Sequence, residues 1–167
     1  FRGSADRVDR SEDGTLHVVD YKTGRSAPYS KLSAEDPTQA GTRLQLPVYG
    51  QAARAQAGTA DARVVAQYWF IGAKGGFARA GYEITDDVLA EVSRVLGWIV
   101  AGIEAGLFPH HPTALSTSPW VECPYCDVDG LGSDDARRRW ERKRTDTTLA
   151  GYVALADPDA GTEGGAA

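Results

Sequence analysis

The order in which apolar runs follow one another constrains this chain more than any single residue does. Strand-like runs at residues 1–10 and 15–22 flank a short "EDG" turn, in which Gly14 supplies the backbone angle a hairpin needs. Residues 23–42 are rich in Gly, Ser, Pro, Asp and Thr and read as a loop. "RLQLPVYGQAARAQAG" then reads as a helix capped by Thr42 and ended by Gly58, with Pro47 tolerated in or near its first turn. "ARVVAQYWFIGA" is a strongly apolar strand, and "GGFARAGYEI", beyond a Lys74–Gly76 turn, is its hairpin partner. "TDDVLAEVSRVLGWIVAGIEAG" has helical periodicity, with Thr85 as cap and Gly106 as stop. Strand, strand, helix, strand, strand, helix is an α/β (α+β) pattern built on one central mixed sheet flanked by helices.

The texture changes after Phe108. "PHHPTALSTSPWVECPYCDVDGLGS" is irregular, and "DDARRRWERKR" predicts a short helix with acids at its start and bases at its end, matching the helix dipole. This divides the chain into a core over 1–107, an extension over 108–155 with a C-x-x-C loop and a basic helix, and a Gly-, Ala- and acid-rich tail over 156–167 expected to be disordered. No internal repeat is visible.

The 167 residues suffice for one ordinary domain with a real core, and 42% apolar with 25% charged residues is a soluble globular balance. No run reaches membrane-span length and no signal-peptide pattern opens the chain, so a cytoplasmic protein without a membrane partner is expected. A chain that begins at Phe1 and contains no methionine reads as a piece of a longer protein. The net charge of −5 speaks weakly against an anionic partner, because the charge is uneven. The last segment, "DPDAGTEGGAA", holds three acids and no base, whereas Arg137 to Arg144 holds six bases and one acid. The two cysteines, Cys123 and Cys126, form one C-x-x-C, which suits a reducing compartment better than a structural disulfide.

Chemistry concentrates in "VVDYKTG", residues 18–24, where a buried-looking strand ends in Asp20 and Lys22. If the hairpin turn centres on Asp13, Asp6 lies opposite Asp20 and Val8 opposite Val18; a turn centred on Asp13–Gly14 shifts this by one residue. In the first register Leu16, Val18, Asp20 and Lys22 share a face, and Asp6 and Val8 meet them across the hairpin. Opposed carboxylates destabilise a sheet unless something positive separates them. A divalent cation with oxygen ligands would do so, helped by the ammonium; a solvated ion cluster at a hairpin end is the other reading. In "QLPVY", Gln45 and Tyr49 are spaced i, i+4 and project from one helix face, with Leu46 and Ala53 near that stripe and Leu44, Val48 and Ala52 making another.

"GSADRVD" (Gly3 to Asp9), "VVDYKTG" and "QLPVY", in this order, resemble the PD-(D/E)XK nuclease superfamily and specifically its RecB-like branch. The resemblance covers roughly residues 1–143; "WVECPYCD" and "RRRWERK" look like the end of AddB-like nuclease domains in bacterial helicase–nuclease repair proteins. It implies a restriction-endonuclease-like core that here lacks its N-terminal helix, and a Mg²⁺- or Mn²⁺-dependent deoxyribonuclease processing DNA ends in double-strand-break repair, with a helicase as partner. By position, Asp6 and Asp20 and the backbone carbonyl of Tyr21 would hold the metal. Lys22 would orient or activate the attacking water and stabilise charge on the phosphate, while Gln45 and Tyr49 support the site and contact the DNA backbone. Such residues suit phosphodiester hydrolysis, in which charge on the phosphoryl oxygens must be neutralised.

The resemblance has two gaps. A further acid or histidine on a helix before the first strand would lie upstream of Phe1. An iron–sulfur cluster needs four cysteines, and beyond Cys123 and Cys126 the next position, around Leu131–Gly132, has none; no cluster is expected.

Other features carry less. "KTG" at 22–24 occurs in β-lactamases, but the S-x-x-K they require is missing. His110 and His111 with Cys123 and Cys126 lack regular zinc spacing. His17 falls on the strand face opposite to Asp20. Arg137, Arg138, Trp140 and Lys143 are candidate DNA contacts, Trp140 either stacking on a base or anchoring its helix. Trp69 and Phe70 read as core. The competing function is a module of the same fold that grips DNA ends or a helicase without cutting.

Overall fold

The computed structural model describes residues 2–58, 61–111 and 133–156, the last beginning with backbone alone up to residue 137. Two compact units divide the chain, Phe1–Gly97 and Trp98–Ala167. Four strands, β1 (Arg7–Arg10), β2 (Leu16–Lys22), β3 (Val64–Phe70) and β4 (Arg79–Glu83), form one sheet in the order β1-β2-β3-β4. The outer pairs are antiparallel hairpins; the central pair is parallel, because helix α1 (Gln45–Gln56) returns the chain to the edge from which β2 started. This is the mixed α+β sheet that the element order predicts.

Of the two registers open from sequence, the first hairpin takes the one centred on Asp13. Ser11 N–H donates to Thr15 O (2.9 Å), Gly14 takes a positive φ of 86°, and the Asp13 carboxylate accepts from the Thr15 amide and hydroxyl. Those two bonds hold Asp13 below the usual carboxylate range. Val8 faces Val18 and Arg7 faces Val19, so one step further puts Asp6 beside Asp20. The strand is shorter than expected, beginning at Arg7, and Asp6 sits in the bend that leads into it.

Strand alternation sorts the sheet into two faces. Leu16, Val18 and Asp20 of β2 pair with Val64, Ala66 and Tyr68 of β3, and all are buried. Leu46 and Ala53 of α1, and Val88 and Val92 of α2 (Asp86–Glu104), join this core. Trp69, expected in the core beside Phe70, instead lies half-buried on the opposite face. Neighbours on a strand must point to opposite sides, so only one of the two could enter.

Helix α1 differs from expectation at its start and on its faces. Leu44 is the N-cap, without a side-chain bond, and Thr42 turns its hydroxyl to Gln39 O (2.7 Å). Pro47 occupies the third helical position, where an amide needs no partner within the helix. Leu46, Pro47, Gly50 and Ala53 are buried, while Ala52 is exposed. The buried row includes Gly50 because the helix lies close on the sheet: a Cβ there would come within 2.4 Å of Ile84 Cγ1. Helix α2 keeps its expected limits, with Val88 N–H donating to Thr85 Oγ1 (3.2 Å) and Gly106 at φ 67°.

In the second unit, α3 (Ser133–Lys143) is the expected charged helix, and a short α4 (Ala150–Ala156) follows a 3-10 turn at Thr147–Leu149 capped by Asp146. Among the described residues no helix is long and apolar enough to cross a membrane.

Candidate active site

Asp20 and Lys22 stand at the end of the apolar face of β2, and α1 delivers Gln45 and Tyr49 over them. The Lys22 ammonium donates to Gln45 Oε1 (2.9 Å), and Gln45 Nε2 donates to Asp20 Oδ1 (2.6 Å). An ammonium has only donors and a carboxylate only acceptors, so these partners fix which way the amide points. Tyr49 Oη lies 3.5 Å from Gln45 Nε2 and steadies the far side of the amide. The Tyr49 ring rests on Gly3, where a Cβ would come within 2.9 Å of it, so α1 also braces the segment leading to Asp6.

Asp6 is exposed, and its Oδ2 accepts the Tyr21 backbone N–H at 2.8 Å, holding the acid against β2 just beyond the end of the ladder. Asp20 is 4% exposed. Its second oxygen, Oδ2, is buried and has the Lys22 ammonium 2.5 Å away, in an ion pair that lacks hydrogen-bond angles. That oxygen therefore has charge compensation but no directed partner among the described residues. Beneath the pair lies Tyr68, with Lys22 Nζ 4.8 Å above its ring. Burial, and then the Asp20 charge, push the Tyr68 hydroxyl up to about 12. It stays a neutral floor for the site.

The arrangement suits a hard divalent cation. Asp6 lies one step past the end of the hairpin ladder on the side of Asp20, one ammonium offsets the buried acid, and an oxygen of that acid is left without a directed hydrogen bond among the described residues. Among the described residues no three His, Cys, Asp or Glu side chains come together, so a cation here would rest on Asp6 and Asp20 supplemented by backbone and water oxygens. Mg²⁺ is commonly held in that way.

A family model for the PD-(D/E)XK nuclease superfamily matches residues 1–131. The chain belongs to that superfamily. No curated protein and no solved structure matches it significantly. Membership in the PD-(D/E)XK nucleases implies a metal-dependent nuclease with DNA as substrate, and the four-stranded mixed sheet with its helices is consistent with the restriction-endonuclease-like fold.

Of the sequence candidates, Asp20, Lys22, Gln45 and Tyr49 are joined in one chain of contacts in this superfamily member, and Asp6 lies against the Tyr21 amide beside them. Arg138 and Lys143 are exposed on α3. Trp140 is buried, stacked on His111 at 4.1 Å with Tyr152 edge-on, an anchor for its helix within the second unit. The side chain of Arg137, together with Cys123 and Cys126, lies outside the described residues. Sequence reasoning missed Gly3 and Tyr68. The glycine opens the quoted "GSADRVD", and its use becomes visible only once Tyr49 is placed against it; Tyr68 carries no motif.

Proposed function

We propose that this chain is a Mg²⁺- or Mn²⁺-dependent deoxyribonuclease of the RecB-like branch, trimming DNA ends exonucleolytically during double-strand-break repair in the cytoplasm, beside a helicase. Residues 1–107 form its catalytic core and 108–155 an extension. The observation that carries the reading is the single amide of Gln45 joining Lys22 to a buried Asp20 that keeps one oxygen undirected, with Asp6 across the hairpin.

Asp6, Asp20 and the Tyr21 carbonyl would hold the cation, which when bound would neutralise charge on the phosphoryl oxygens and make a water more acidic. The chain's own part is orientation and charge. Gln45 keeps the Lys22 ammonium pointed across the carboxylate face, where it can steady a water or a phosphoryl oxygen. Tyr49 keeps Gln45 from rotating. Tyr68 and Phe70 close the apolar floor and keep bulk water from the buried side of Asp20. Arg137, Arg138 and Lys143 contact the phosphate backbone.

The test is a nuclease assay with Mg²⁺ and with Mn²⁺ on linear DNA, comparing wild type with Asp20→Ala and Lys22→Ala. Cleavage by the wild type and loss in both variants is expected. Cleavage untouched by both substitutions would overturn the assigned site, and binding without cleavage in either metal would favour the non-cutting module.

A further inference from the structure

The segment between β2 and α1 is written in turn residues, yet its last part is firmly held. Tyr82 Oη donates to Pro37 O (2.7 Å), and Pro37 and Thr38 are fully buried. Arg43 N–H returns to Thr38 O (2.8 Å), and Gly41 N–H donates to Thr38 Oγ1 (3.2 Å). Inside this closed ring Gln39 and Ala40 have left-handed φ angles of 44° and 55°, followed by Gly41 at 79°. Left-handed non-glycine residues are unfavourable and persist only where the surroundings over-determine them, most often beside functional sites.

The ring delivers one side chain, that of Arg43. Its guanidinium carbon sits 4.3 Å over the Tyr29 ring, and its Nε donates to Gln39 Oε1 at 3.4 Å. Tyr29 in turn meets Tyr68 edge-on at 4.9 Å, the same ring that lies beneath Lys22. The guanidinium therefore stands beside the site, separated from the Lys22 ammonium by two aromatic rings.

Arg43 is also set apart by what it lacks. The half-buried arginines among the described residues are Arg43, Arg54 and Arg144. Arg54 is paired with Asp86 and Arg144 with Glu141. Arg43 has no carboxylate among the described residues, and its two terminal nitrogens carry no hydrogen bond there. A partly desolvated guanidinium fork, oriented by a ring and an amide but facing no acid, is arranged for an anion from outside.

We infer that Arg43 binds a backbone phosphate of the cleaved strand, one that is not itself cut. The inference rests on the nuclease reading above. The experiment uses Arg43→Gln, which keeps the stem and removes the charge, and Arg43→Lys, which keeps charge without the fork. Binding of a fluorescein-labelled oligonucleotide is followed by anisotropy in EDTA over roughly 50–200 mM salt, and steady-state cleavage is measured in Mn²⁺. Arg43→Gln should lower the slope of log affinity against log salt by about 0.7–0.9, the value of one phosphate. It should raise KM about tenfold and change kcat less. Arg43→Lys should keep the wild-type slope and recover only part of the KM. A residue that merely braced Tyr29 would not move the salt slope. Wild-type slope and KM in Arg43→Gln, with the wild type cutting DNA, would overturn this inference alone. A wild type that neither binds nor cuts would overturn the nuclease reading and this inference together.

Discussion

The two faces of the sheet set cations over aromatic rings in similar ways and to different ends. On the inner face Lys22 lies over Tyr68; on the outer face Arg79 lies 4.1 Å over Trp69, with Arg7 5.9 Å from the same ring. Outside, the charges are exposed and Arg7 is conventionally paired, holding Asp9 at 2.6 Å and reaching the Tyr21 hydroxyl. Inside, the acid is buried, its lysine is held by an amide from another element, and one carboxylate oxygen has an ion pair but no directed hydrogen bond among the described residues. The difference is solvent. Water screens the outer cluster to a modest contribution, whereas burial leaves the inner one with strong, directional demands that a cation or a substrate can meet.

The sharpest way to break this comparison is to remove the inner charges. Asp20→Asn and Lys22→Ala should each lower the rate of cleavage by roughly a hundred- to a thousandfold. Asp20→Asn takes the counter-charge from a partly exposed Lys22 and should lower the thermal midpoint only modestly. A large fall in both activity and melting temperature would mean that the pair is structural. Gln45→Leu comes next, with a loss of about ten- to a hundredfold in rate, as expected when a group that orients site residues is lost. Gly50→Ala tests how closely α1 must lie: overpacking against Ile84 should cost about 1–3 kcal/mol by chemical denaturation.

A pH experiment sharpens the comparison from the alkaline side. The Tyr68 hydroxyl is raised from 10.0 to about 12 by burial and by Asp20. Its contribution to stability is complete below pH 10 and is lost as pH rises toward 12, where the folded protein must also give up the proton. Denaturation at stepped pH should show this fall, and Tyr68→Phe should reduce it, leaving the part that comes from Tyr82, whose hydroxyl burial also pushes up. The smallest effect belongs to the outer face. Arg79→Ala should cost about 0.5–1 kcal/mol and leave the rate of cleavage within twofold of wild type.

Local rules narrowed the hairpin to two registers and made the shared face of Asp20 and Lys22, and the i, i+4 pair of Gln45 and Tyr49, legible in the sequence. Each depends on spacing within one element or across one tight turn. The pairing of Asp20 with Tyr68 was not legible, because the parallel register of β2 and β3 is set by how α1 docks through Leu46, Gly50 and Ala53. Trp69 looked like core because apolar character says nothing about which of two neighbours points inward. Tyr29 and Arg43 were hidden in a segment whose composition announces turns but not where they lead. In the second unit α4 went unread, although Asp146 ahead of Thr147 and Thr148 is a capping signal.

The Gln45 bridge has a consequence for how the protein comes into being. Asp20 and Lys22 leave the ribosome well before the residue that joins them, and no local segment contains all three. A chain that has made only its first hairpin therefore carries the acids and the lysine without the bridge that α1 completes. On the proposed reading, full competence to cut would require that helix to dock, so that a half-made or partly unfolded copy would cut the DNA around it poorly.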